Sequence, residues 1–316
     1  MESAPPNVCE RTTLAARGLY AFSMRLLPYA QLLRLPNVFT AFADILLGTL
    51  ATGVLLSRPL PAVLLLLASG CLYCAGMVWN DYFDLEVDKK ERPFRPLPSG
   101  KISVRTAAFL GLGLLLAGIA LAGAASMASL LIAALLALAI FLYDGMLKST
   151  PIGPVSMALC RFLNVLLALS LVNSAAFPWL QRYHLAGVIG FYIAGVTWFS
   201  RGEAGRSNPA HLRGAAAVIL AALALALAVP VYLPPGSVTV AYPYLIAAFG
   251  FLIGIPIFRA IAKPDARNVQ AAVKRCILGL VLLDAILATA FVGLYGLLIV
   301  LLLVPAMILG KKVYST

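Results

Sequence analysis

The sequence is poor in charge. Asp, Glu, Lys and Arg make up only 11% of its 316 residues, against 62% hydrophobic residues. A water-soluble globule carries about a quarter charged residues. Too little polar surface exists to cover a soluble fold of this length, and a mean hydropathy of +0.97 agrees. The solvent is therefore lipid. Histidine is almost absent: His184 and His211 are the only two, both at predicted helix ends. Of the five cysteines, Cys71 and Cys74 form a C-x-x-C, but inside an apolar helical run with no second pair and no nearby histidine. That pattern reads as small buried residues rather than a zinc or disulfide framework. Acid is scarcer than base, 12 residues against 24, for a net charge of +12. No basic stripe with interleaved aromatics lies outside the loops, so nucleic acid is not an expected partner. Cytoplasmic loops of membrane proteins collect Lys and Arg, and this accounts for the excess.

A hydrocarbon core of about 30 Å takes ~20 apolar residues per helix. Such runs lie near residues 37–57, 60–81, 104–124, 126–144, 154–174, 184–200, 211–232 and 240–260. A last apolar stretch, residues 276–310, is long for one span and short for two, with Gly293 and Gly296 as potential breaks. The expected fold is all-α: a polytopic membrane bundle of about nine helices, or ten, in a single domain over residues 29–316. No cleavable signal peptide is visible, and residues 1–28 read as a cytoplasmic arm with an interfacial helix near residues 14–27.

Loop charge sets the orientation. Lys89, Lys90, Arg92, Arg95 and Lys101 fall in one loop, Lys148 in the next on that side, then Arg201, Arg206 and Arg213, then Arg259, Lys263, Arg267, Lys274 and Arg275. The opposite loops are nearly bare, which places the charged loops and the N-terminus in the cytoplasm. The membrane expected is a bacterial plasma (inner) membrane. Nine spans would leave Lys311 and Lys312 outside, and ten would bring them inside.

One charged loop has a pattern. Asn80, Asp84 and Asp88 recur every four residues after an apolar helix, and Asp81 lies three before Asp84. If the helix continues, each step turns about 400°, so these oxygens share one face with ~40° of drift. Like charges on one face at a membrane boundary repel, and a hard cation removes that cost. Mg²⁺ takes oxygen ligands and completes its shell with water and phosphate. Lys89, Lys90, Arg92 and Arg95 follow directly, and arginine grips phosphate through paired hydrogen bonds. Acids for a metal beside bases for phosphate suit a diphosphate ester. A solvated loop with internal ion pairs is the plainer alternative.

The segment from Asn80 to Gly100 carries N-D-x-x-D-x-x-x-D and then R-P-L-x-S-G. It resembles the first aspartate-rich motif of the UbiA superfamily of intramembrane prenyltransferases. Hydropathy, loop placement and length extend the resemblance over the whole chain. Residues 160–165 and 195–198 look closest to the EboC-like branch. The resemblance implies a helical bundle around a central cavity open near the cytoplasmic face. It implies an isoprenyl diphosphate held through Mg²⁺, whose diphosphate leaves so that an acceptor attacks the allylic cation. On that basis Asn80, Asp81, Asp84 and Asp88 are metal candidates, with Asp84, Asp88 and Lys148 at the centre of catalysis. Arg92, Arg95, Lys148 and Tyr143 match substrate-binding positions, the last two through a Y-x-x-x-x-K pattern. Arg161 and Asn164, one turn apart, are further diphosphate candidates, and Asn37 and Asp44 face the acceptor side.

One departure stands out. The family's second acidic motif is reduced here to residues 199–206, where Glu203 is the single carboxylate, flanked by Arg201 and Arg206. One full Mg²⁺ site is expected, with Glu203 a partial second ligand and Arg201 replacing metal charge against phosphate. Asp144 sits at a helix C-terminus, where the dipole disfavours an acid. Asp44 and Asp284 are intramembrane carboxylates, each expected to face a cavity or a partner. The leading expectation is Mg²⁺-dependent prenyl transfer to a small, aromatic or other, acceptor among the membrane lipids. The alternatives are a non-catalytic isoprenoid-lipid binder or transporter that keeps the diphosphate site, and a secondary transporter using Asp44 and Asp284.

Overall fold

The computed structural model describes residues 26–201 and 207–314. The sequence expectations for most of the N-terminal arm and for Glu203 and Arg206 lie outside the described residues. The described chain is helical: α1 (Leu26–Leu32), α2 (Leu35–Ala51), α3 (Val54–Ser57), α4 (Pro59–Phe83), α5 (Leu85–Glu91), α6 (Val104–Ala125), α7 (Met127–Leu142), α8 (Gly153–Leu169), α9 (Trp179–Ser200), α10 (Pro209–Ala228), α11 (Ala241–Ala262), α12 (Ala266–Val292) and α13 (Leu303–Tyr314). Local chemistry sets many of the starts. Ser103, Ser126, Asn208 and Asp265 each accept a hydrogen bond from a backbone N–H of the first turn they precede. Such caps satisfy donors that a helix leaves free at its N-terminus.

Each long helix from α6 onward packs on its predecessor, and α2 runs through the middle against α4, α8 and α12. Two apolar cores result. One gathers α2 with α8 to α12, and the other gathers α2, α4, α7 and α8. The outer faces stay apolar, with Phe109, Leu116, Leu220, Phe251 and Phe258 exposed. A soluble surface does not carry such a belt; the chain is an integral membrane protein. Six helical segments are long and apolar enough to cross a membrane, and a seventh counts if α1 and α2, bent by 49°, form one span. The shorter α8 and the more polar first turns of α9 complete the bundle.

The last apolar stretch divides where glycine permits. Gly293, at φ 61°, ends α12. Residues Gly293–Leu302 then form a 3₁₀ segment leading into α13. It doubles back on α12: a Cβ on Gly296 would sit 2.5 Å from the backbone nitrogen of Thr289. Ten residues at about 2.0 Å and twelve at 1.5 Å cover roughly 38 Å, enough to return across a bilayer. Gln31 Nε2 donates to Val313 O at 3.0 Å, which fixes the end of α13 beside α1. Lys311 and Lys312 therefore lie near the end of the bundle where Arg34 meets Asp81.

Close backbone approach holds α2 against α8. A Cβ on Gly48 would strike the Ala168 methyl, whereas one on Gly113 meets nothing within 4 Å. Small residues permit such contact, which drives helix association in lipid. Gly48→Val is expected to lower stability by about 2 kcal/mol through overpacking, and Gly113→Val to leave it unchanged. Thermal unfolding in detergent checks both.

Candidate functional site

A cavity of about 420 Å³ opens between the two cores. Six helices line it: α2, α4, α7, α8, α9 and α12. Its walls are largely apolar, with Leu72, Leu136, Ile140, Ile193 and Leu280 among them, and polar groups concentrate at one mouth and on one wall.

The mouth is built around the end of α4. The helix closes at Phe83, but the backbone bonds Asp84 N–Asn80 O (3.0 Å) and Asp88 N–Asp84 O (2.8 Å) carry its ladder into α5. The four oxygen-bearing side chains do not converge. Asn80 Nδ2 donates to Asp144 Oδ1 at 2.9 Å. Lys148 Nζ lies 2.7 Å from Asp84 Oδ1, off hydrogen-bond alignment, so the contact is Coulombic. Arg95 Nη1 joins Asp88 Oδ2 at 2.6 Å to Asp81 Oδ1 at 3.3 Å, and Arg92 stands 4.0 Å from Asp88. The expected common face is thus split: Asp84 turns to Lys148, while Asp81 and Asp88 share Arg95. Among the described residues no three His, Cys, Asp or Glu side chains are grouped as a metal cage.

The R-P-L-x-S-G tail has a mechanical role. Leu97 and Ile102 are buried with Leu32, Val78 and Ala107, and Gly100, at φ 74°, closes the turn onto Leu97 O. This small core holds Arg95 against Asp81 and Asp88. Arg34, passed over in the sequence as a site residue, caps the arrangement from the other side. Its Nη2 donates to Asn80 Oδ1 (3.1 Å) and Asp81 Oδ1 (2.9 Å). It is also the one described non-glycine residue at positive φ, 46°. Such backbone strain is kept where surrounding contacts over-determine it.

Tyr143, Asp144 and Lys148 come from a π-helical turn, Tyr143–Leu147, at the end of α7. Lys148 N bonds Tyr143 O at 2.9 Å, five residues back. The Y-x-x-x-x-K spacing is that hydrogen bond. π turns cluster at functional sites because the extra residue redirects side chains. Tyr143 and Asp144 line the cavity. Arg201 does not. Its Nη2 donates to Lys148 O (3.1 Å) and to Thr150 O, so it ties down the loop after the π turn.

The polar wall holds Asn37, Thr40, Ser69, Tyr73, Arg161 and Asn164. Arg161 has its counter-charge inside the protein: Nη1 donates to Asp44 Oδ2 at 2.9 Å and Nη2 to Thr40 Oγ1. Its guanidinium lies 5.8 Å from the Tyr73 ring centre. Asn164 Nδ2 donates to the same Asp44 oxygen at 2.8 Å and to Ala41 O, while Ser69 Oγ donates to Asn164 Oδ1 at 2.7 Å. The buried-pair alternative for Asp44 is the observed one. Asp284 is fully buried in α12, its carboxyl group against that of Asp44. Lys274 and Arg275 lie more than two turns away in the same unbroken helix.

Fold and site together define a polytopic membrane bundle with a charged mouth over an apolar cavity. The chain belongs to the UbiA prenyltransferase family, whose pattern matches residues 38–278. It is 37% identical over 127 residues to the digeranylgeranylglyceryl phosphate synthase of Saccharolobus solfataricus, a match over 40% of this chain and 45% of the relative. The same enzyme of Methanococcoides burtonii is 36% identical over 132 residues, 39% of this chain and 47% of the relative. The chain thus spans about half the length of the curated relatives it matches. A digeranylgeranylglyceryl phosphate synthase structure superposes with a TM-score of 0.65 at 22% identity, over 85% of this chain and 99% of that one. A UbiA homologue from Archaeoglobus fulgidus bound to DMAPP and Mg²⁺ also gives 0.65, at 18% identity, over 86% and 98%.

Removing one partner of a buried pair leaves an uncompensated charge. Arg161→Met is expected to destabilise the chain by about 3 kcal/mol, and Asp44→Asn in the same chain to recover part of that. A double-mutant cycle of thermal stability in detergent measures the coupling.

Proposed function

We propose that this chain is an intramembrane prenyltransferase that moves a prenyl group from an isoprenyl diphosphate to a small acceptor, with Mg²⁺ at the cavity mouth. One observation carries the reading: charged groups gather at one end of a largely apolar cavity, where Arg34, Asn80 and Asp144 line it and the Asp84–Lys148 pair follows one turn beyond Asn80 and Tyr143. The donor set fits the ion, since Mg²⁺ takes one or two carboxylates and shares the rest of its shell with water and phosphate. Asn80 and Asp84 would hold it. Bound there, Mg²⁺ would offset the charge that collects on the departing diphosphate.

The protein's own groups supply the rest. Lys148 and Arg92 trade their carboxylate partners for diphosphate oxygens, and Arg95 turns its remaining N–H groups to them. Asp81 and Asp88 keep Arg95 in place through the exchange. The apolar walls from Leu72 to Leu280 take the isoprenoid chain and exclude water from the allylic cation. Tyr143 turns an aromatic face to that cation. Asn37 offers hydrogen bonds to the acceptor, while Thr40, Ser69 and Asn164, whose protons are used within the protein, present only oxygen lone pairs. The charged face is cytoplasmic, by its excess of Lys and Arg. The archaeal relatives are named for a glyceryl phosphate product; an aromatic acceptor is the other class the polar wall and Tyr73 accommodate.

In detergent with Mg²⁺, farnesyl or geranylgeranyl diphosphate and an acceptor panel, the wild type is expected to release pyrophosphate. Asp84→Ala is expected to reduce the rate by about a hundredfold or more. Binding of diphosphate with no turnover on any acceptor would favour a lipid carrier. An Asp84→Ala rate equal to wild type would refute the scheme.

A further inference from the structure

We propose that Asp144 is a third oxygen donor to the cation at the cavity mouth, beside Asn80 and Asp84. This rests on the metal–diphosphate reading above and extends it to a residue outside the aspartate-rich motif.

The argument begins with charge. Asp144 is 3% exposed, yet it lines the cavity. Among the described residues no cation lies within salt-bridge distance of it: Lys148 and Arg34 are near enough to act on its charge, but their direct contacts are with Asp84 and Asp81. The hydrogen bond it accepts, from the neutral amide of Asn80, supplies no counter-charge. It also stands at the C-terminal end of α7, where the helix dipole opposes a negative charge. An acid so placed inside a bilayer faces a cation or a cavity that admits one.

Geometry gives the direction. The π turn swings Asp144 toward α4, where it meets Asn80, the first residue of the motif. Its other oxygen, Oδ2, lies beside Gly76, where even an added Cβ would sit 4.0 Å away. Gly76 and Asp144 both line the cavity at this point. Composition gives the reason. Residues 199–206 hold one carboxylate, Glu203. Asp144 supplies from α7 an acid that the loop after α9 lacks.

Mn²⁺ serves as the probe, titrated into purified chain with farnesyl diphosphate and read by electron paramagnetic resonance. Asp144→Asn keeps an oxygen for Asn80 and removes only the charge, so a merely structural role would survive it. The expected result is Mn²⁺ affinity weaker by about tenfold or more, with a melting temperature close to wild type. Asp144→Glu restores the charge and is expected to recover most of the affinity. An Asn variant that binds Mn²⁺ as wild type does overturns the assignment, and so does a Glu variant as weak as the Asn variant. A wild-type chain that binds no Mn²⁺ overturns the metal site itself, a failure distinct from that of Asp144 alone.

Discussion

Every ionised side chain within a lipid-embedded bundle must find its counter-charge locally, because the surroundings supply almost none. This constraint organises the polar half of the molecule. Asp44 is answered by Arg161, Asp81 by Arg34 and Arg95, Asp84 by Lys148, and Asp88 by Arg95. The pairs differ in what they can release. Asp44 is fully buried, and its pair with Arg161 is braced by Thr40 and Asn164, so it acts as a joint between α2 and α8. Asp84 and Lys148 are partly exposed, but the Lys148 ammonium is buried against Asp84, so the pair can part only where another anion takes the carboxylate's place. Burial thus sorts chemically similar pairs into structural and exchangeable ones.

The exchangeable pairs need a rigid frame, and the frame is made of backbone irregularities. α4 yields at Asp84 without losing its ladder, α7 widens into a π turn, and Arg34 takes a left-handed conformation between α1 and α2. Three departures from regular helix meet at one cavity mouth. Each turns a side chain that a straight helix would aim elsewhere. The apolar turn around Leu97 and Gly100 then locks Arg95 from outside the bundle.

Much of this was legible in the sequence. Apolar run length gave the helices, since a bilayer fixes how many residues a span requires. The motif from Asn80 to Gly100 located the mouth, and Y-x-x-x-x-K located Lys148. The division of the acids among separate cations was not legible, because spacing along a helix says nothing about which base on another helix lies nearest. Arg34 was hidden for the same reason: its role comes from a fold that brings residues 34 and 81 together. Arg161 looked like a ligand for phosphate because its partner Asp44 is 117 positions away. Arg201 looked like a substrate contact because its loop lies where the family's second motif falls, yet its side chain reaches backbone oxygens. The return of the chain through α13 depended on Gly293 and Gly296, which composition marked as potential breaks without saying which way the chain would turn.

The distribution of acids separates this chain from a symmetric two-motif site. With one acidic motif intact and the other reduced, negative charge lies mainly on the α4 side of the mouth. The α9 side presents Thr197 and Ser200 to the cavity and uses Arg201 to hold a loop. A diphosphate entering such a mouth is drawn by cations on α5, by the tail after it and by Lys148, while any metal is drawn toward α4. The two attractions pull the headgroup to one side. The polar wall holds Asn37, and beside it Thr40 and Asn164 brace the Asp44–Arg161 pair. On the proposed reading, asymmetry of charge would order the two ligands within one cavity.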